Sequence, residues 1–115
     1  MRVKTVQQGL AVPATATTTN GTALNLSTEP VLNPFQPGAS AVGLVNLRAA
    51  ANATINVQTS DDGTTYTTEA TITVTTAETR QVPVDVDQLR AYVRIQIVTA
   101  GTSGAGSVDL FLVNQ

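Results

Sequence analysis

Residues 54–74 read TINVQTSDDGTTYTTEATITV, and this stretch decides the fold. Ile55 and Val57 alternate with Thr54, Asn56 and Gln58. Ala70, Ile72 and Val74 alternate with Thr71, Thr73 and Thr75. Successive side chains of a strand leave opposite faces, so a period of two buries one face and wets the other. Between the runs, Ser60-Asp61-Asp62-Gly63 offers a tight turn, with glycine supplying a positive φ. The stretch is predicted to be a half-buried antiparallel strand pair.

Most of the chain is written in the same style. A first strand over residues 1–10 ends at Pro13, and ATATTT at 14–19 suits a short second strand. Asn20-Gly21 is a type I′ turn signal, followed by alternation with Leu24 and Leu26 on one face. Residues 40–47 are apolar on both faces, through Val42 and Leu44 on one and Val45 and Leu47 on the other, which predicts a central or doubly covered strand. Residues 49–53 read as a loop. In 79–86, Val82, Val84 and Val86 point inward, while Pro83 cannot donate to a ladder and places the strand at an edge. Residues 91–99 set Val93, Ile95 and Ile97 against Tyr92, Arg94 and Gln96. After a glycine-rich loop at 101–106, residues 107–113 turn Val108, Leu110 and Leu112 inward and Phe111 and Val113 outward. About eight strands at this spacing predict an all-β fold, an antiparallel β-sandwich or barrel. One domain spans 1–115, with residues 1–20 able to extend as an N-terminal arm.

Composition narrows function by subtraction. The 115 residues contain no Cys, His or Trp, only 12% are charged, and the net charge is -2. Ser-His-Asp and Cys-His nucleophilic catalysis lose their required groups, as do the usual zinc sites. Six scattered basic residues form no stripe interleaved with aromatics, so no nucleic-acid partner is expected. No apolar run approaches the roughly 20 residues of a membrane helix, and Gln7, Gln8 and Gly9 interrupt any signal-peptide core. The expectation is a chain made in the cytoplasm without an export signal, with no membrane partner and no cofactor.

Carboxylate pairs are the remaining places for chemistry. Asp61 and Asp62 fit turn formation, and Asp85 and Asp87 fit a solvated edge. Calcium at Asp61 and Asp62 would find too few of the roughly 6–8 oxygens it takes, so no metal site is expected. GTSGAG at 101–106 lacks the lysine and following helix of a phosphate loop and reads as a hairpin linker. Arg94, beside Tyr92 and Gln96, suits cross-strand packing or recognition of a partner or sugar.

The interface candidates are Val31, Leu32, Phe35, Tyr92, Arg94, Phe111 and Val113. Residues 27–39, STEPVLNPFQPGA, carry Pro30, Pro34 and Pro37, which keep the segment extended around Val31, Leu32 and Phe35. An extended, stiffened segment loses little entropy on docking. Two readings stand side by side: Phe35 and Phe111 dock on a neighbouring subunit, or Phe35 plugs its own sandwich and a loop covers Phe111.

Residues 57–74 and LRAYVRIQIVTAGTSGAGSVDLFLV at 89–113 resemble a pattern of tailed-phage virion proteins. There a strand, a Ser-x-Asp-Gly-Thr-x-aromatic turn and a strand precede a Tyr-Val-Arg-Ile strand, a glycine-rich hairpin and a last apolar strand. Here the turn is Ser60, Asp61, Asp62, Gly63, Thr64, Thr65, Tyr66, and the later strand is Tyr92, Val93, Arg94, Ile95. The resemblance implies a jelly-roll-like sandwich that decorates or cements a phage capsid, with the major capsid protein as partner, the virion as its location, and a homo-oligomer, a trimer by preference. An enzyme is the least expected reading, since His and Cys are absent. The alternative is a glycan-binding module of a fibre or tail, which would need flat aromatic rings where only Tyr66 and Tyr92 face outward.

Overall fold

The computed structural model describes residues 2–13, 15–28, 35–50, 52–100 and 106–114. Among these lie β1 (Arg2–Ala11), β2 (Ala16–Asn20), β3 (Leu24–Asn25), β4 (Ala41–Ala50), β5 (Ala53–Ser60), β6 (Thr67–Val74), β7 (Glu78–Val86), β8 (Tyr92–Ala100) and β9 (Ser107–Asn114). A 3-10 turn covers Leu26–Thr28. Sheet A runs β1-β9-β4-β7; sheet B runs β2-β8-β5-β6, with β3 also on β8. Every pairing is antiparallel.

The strand order has a simple origin. β1 pairs with β9, β2 with β8, β4 with β7 and β5 with β6. The chain is thus one long two-stranded ribbon doubled back at the turn after Ser60. Further pairings of β4 with β9 and of β5 with β8 roll that ribbon onto itself. The result is a jelly-roll sandwich, the wiring that lets two layers share one core. The inward positions read from the alternation fill that core: Val45, Leu47, Ile55, Val57, Val93, Ile95, Ile97, Val108, Leu110 and Leu112 are at most 1% exposed. β4 is central, between β9 and β7, and Pro83 lies on an edge strand as its missing donor requires.

Three expectations are corrected. Residues 2–11 and 16–20 are strands of the two sheets rather than an extended arm. Asn20-Gly21 does not form a hairpin, because β2 and β3 run on along the same neighbour β8. The Gly21 N–H donates to the Ile95 carbonyl at 2.8 Å, and a Cβ at Gly21 would stand 2.8 Å from Gln7 Oε1 and 3.0 Å from Ile95 Cγ2. Glycine is therefore needed at this point for close approach. The loop expected over 49–53 narrows to a corner, where the chain leaves β4 at Ala50 and enters β5 at Ala53 in the other sheet. Asn52 takes φ 50° there, a left-handed conformation that asparagine tolerates better than most residues.

Candidate functional site

The outer face of sheet A holds two of the apolar candidates, Phe111 and Val113. Val3, Val113, Val42 and Asp85 form one row across β1, β9, β4 and β7, and Thr5, Phe111, Leu44 and Pro83 form the next. Phe111, Val42 and Leu44 are half-buried, Pro83 is exposed, and Val3 is 56% exposed. Val113 lies outside the core cluster, as its outward parity predicts, yet it is only 5% exposed. Its cross-strand neighbours Val3 and Val42 flank it, which corrects the expectation of an open side chain.

Phe35 is corrected more fully. It is 2% exposed and belongs to the core cluster, beside a turn in which Gly38 N–H donates to the Leu89 carbonyl at 2.6 Å and Leu89 N–H to the Ala39 carbonyl at 2.7 Å. Its own sandwich holds the ring, and the turn that follows it is pinned to Leu89 by these two bonds. Val31 and Leu32 lie outside the described residues, as does the glycine-rich stretch 101–105.

Further along the same face, Asp109 is fully buried beneath the bulged part of β1. Its carboxylate accepts the Gly9 N–H at 2.6 Å and pairs with Arg48 Nη2 at 2.6 Å, while the Arg48 side chain is 52% exposed. Gly9 adopts φ 68°, so the bulge, the glycine and the aspartate form one local device that fastens the edge strand.

Apart from exposed Val98, the outer face of sheet B is largely polar, and hydrogen bonds join its side chains across the strands. One row crosses all four strands. Gln96 Nε2 donates to Asn20 Oδ1 at 3.0 Å, Asn56 Nδ2 to Gln96 Oε1 at 3.1 Å, and Thr71 Oγ1 to Asn56 Oδ1 at 2.9 Å. In the next row Arg94 Nε donates to Gln58 Oε1 at 2.9 Å, and Gln58 Nε2 to Thr68 Oγ1 at 3.2 Å. The Arg94 guanidinium lies 3.7 Å over the Tyr66 ring centroid, a cation–π contact. Tyr92 packs on the turn, where a Cβ at Gly63 would meet its ring at 3.2 Å. Arg94 is thus engaged in cross-strand packing, and neither tyrosine presents an uncovered platform.

At the ribbon's tip, Asp62 Oδ1 accepts N–H bonds from Thr64 at 2.8 Å and Thr65 at 2.9 Å, and a hydroxyl bond from Ser60 at 2.9 Å. These donors, the Thr65 amide first, hold its pKa below the ordinary aspartate value. Gly63 takes φ 78°, as the turn reading requires. Asp61 pairs with Arg90 Nη1 at 3.0 Å. These carboxylates serve the turn. Among the described residues no group of three or more acidic side chains is placed to hold a metal ion.

No protein-family profile and no curated protein matches the sequence. The fold has a counterpart among viruses. The chain is similar to one in the structure of infectious bursal disease virus Gx strain, with a TM-score of 0.50 and 13% sequence identity. The match covers 96% of this chain and 30% of that one, so this chain spans about a third of its counterpart's length. At that identity the likeness is one of fold.

Two features escape a reading of single strands: the pairing of buried Asp109 with half-exposed Arg48 and the amide rows of sheet B. Asn56 and Gln58 share an outward parity on β5, as do Arg94 and Gln96 on β8, and that common polarity is the only signal of the rows in the sequence. Their joining depends on β5 and β8 being neighbours.

Proposed function

We propose that the chain is a structural protein of a virion, one that decorates or cements a phage capsid by bridging capsid subunits. The observation that carries the reading is the jelly-roll wiring, shared with a chain from a virus structure and joined here to the phage-like turn and Tyr-Val-Arg-Ile strand. The role is passive, without catalysis. A protein that binds only the assembled shell stabilises it by mass action. In this reading the major capsid protein is the partner, the virion is the location, and the chain forms a homo-oligomer, with a trimer favoured by the resemblance. The second reading, a glycan-binding module of a fibre or tail, draws support from the neutral amide and hydroxyl surface of sheet B.

The test is co-sedimentation of the labelled chain with capsids of candidate tailed phages, run beside a glycan array. Saturable retention on capsids supports the first reading. Binding to a glycan alone favours the second, and retention on neither overturns both.

A further inference from the structure

Asn20-Gly21 forms no hairpin, yet the pair carries chemistry of its own. Asn20 is the only asparagine in the chain that a glycine follows. In such a pair no side chain shields the glycine nitrogen from the asparagine side-chain carbonyl. Solvent hydroxide takes the Gly21 N–H proton, the nitrogen bonds to Asn20 Cγ, and the side-chain amide leaves as ammonia. The product is a cyclic succinimide. Water then opens the ring at either carbonyl, leaving aspartate or isoaspartate, and no oxidant or reductant is consumed.

The sandwich holds both reacting groups away from that step. Asn20 ends β2, opposite Gln96 on β8. Antiparallel strand backbone has ψ of about +135°. A planar ring needs the following nitrogen eclipsed with Cβ, so ring closure requires Asn20 to leave the strand. The Gly21 N–H is donated to the Ile95 carbonyl at 2.8 Å, and Asn20 Oδ1 accepts from Gln96 Nε2 at 3.0 Å. Asn20 is exposed, so water reaches it and the protection is geometric. β2 has only five residues and lies on the edge of sheet B. Thr99 on β8 helps to fasten it: its hydroxyl accepts the Thr17 N–H at 3.2 Å and donates to the Thr15 carbonyl at 2.5 Å. Elements with few buried contacts open locally at less cost than the core.

We propose that Asn20-Gly21 is a gated deamidation site, closed while β2 lies on β8, reactive when β2 lifts, and locked open by isoaspartate. The lock follows from Gly21. Isoaspartate moves a methylene into the main chain and displaces the Gly21 N–H from the Ile95 carbonyl. The junction has no room to absorb the shift, since even a Cβ on Gly21 would stand 2.8 Å from Gln7 Oε1 and 3.0 Å from Ile95 Cγ2. Ordinary aspartate keeps the main chain and an oxygen acceptor for Gln96, so it re-seats. Asp62-Gly63 is open to the same ring closure, with water as the leaving group, but the tip turn holds it. There Gly63 N–H donates to Ser60 Oγ at 2.9 Å, and Asp62 Oδ1 accepts three hydrogen bonds. The chemistry is independent of the virion reading.

The intact chain is incubated in mildly alkaline buffer with and without urea, and modified residues are located by peptide mass spectrometry. In urea, Asn20 should be the first asparagine converted. Without urea its conversion should be at least about tenfold slower. Thr99→Val removes the fastening hydroxyl and should speed conversion in the folded chain about three- to tenfold. Hydrogen exchange at Gly21 should quicken in step, while Asp62 stays unmodified. The isoaspartate fraction should melt below the parent, whereas Asn20→Asp should melt with it. Equal rates with and without urea overturn the gate, as does a Thr99→Val rate no faster than the parent's. An isoaspartate fraction that melts like the parent overturns the lock.

Discussion

Phe35→Ala tests whether the proline-rich segment belongs to the core. The ring is 2% exposed within the main core cluster. The turn that follows is tied to Leu89 by two backbone hydrogen bonds of 2.6 and 2.7 Å, so the chain has little freedom to slide inward and close a void. Truncation then forfeits both the transfer of the ring from water and its packing, about 3–5 kcal/mol. Total stability for a domain of this kind is about 5–15 kcal/mol, so the loss is a large share of it. Unfolding entropy of about 2.1 cal/mol/K per residue, taken over 115 residues, amounts to about 0.24 kcal/mol/K. The melting temperature should therefore fall by about 12–20 °C. Urea and thermal melts of the isolated chain measure it, with Phe111→Ala as the comparison. Phe111 is half-buried on an outer face and should lose only about 1–2 kcal/mol. A loss below about 1 kcal/mol for Phe35→Ala, or one smaller than that of Phe111→Ala, would refute the core assignment.

Other substitutions probe the local devices. Asp109→Ala should cost about 1.5–3 kcal/mol, because it leaves the Gly9 N–H without its acceptor and Arg48 without its partner. Hydrogen exchange should quicken at Gly9 first, and unchanged protection there would argue against the bulge being fastened this way. Gly21→Ala places a methyl group 2.8 Å from Gln7 Oε1 and 3.1 Å from the Ile95 carbonyl, and should destabilise by about 1–3 kcal/mol in denaturant melts. A neutral result would mean that β1 can move away from the β2–β3 junction. Asp62 has a lowered pKa in the folded chain, so its contribution is present above the ordinary value of 3.8 and is lost as pH falls through the folded value. Asp62→Asn should remove that part of the acid sensitivity, and parallel pH–stability curves for the two proteins below about pH 4 would contradict the assignment.

Alternation along the chain was enough to determine the strands, their inward residues, the tip turn at Gly63 and the edge position of Pro83. Each depends on interactions within a few residues: the two-residue period, the conformational freedom of glycine, the missing amide of proline. What the alternation does not contain is which strands become neighbours. Asn20-Gly21 carries the local signature of a hairpin, but β8 offers one continuous ladder to both β2 and β3, and the chain runs straight on. Phe35 looks like a docking residue while its segment is viewed alone; in the closed sandwich it belongs to the core. Val113 points outward by parity and is shielded only because β1 and β4 flank β9 and bring Val3 and Val42 beside it. The same pairing sets Val3 and Asp85 at the two ends of one row, with Val113 and Val42 between them, although 82 positions (85 − 3) separate them in the chain. Local patterning specifies how each strand presents its faces, whereas the surfaces that act between molecules are assembled across strands, by pairings far apart in sequence that only the closed sandwich makes.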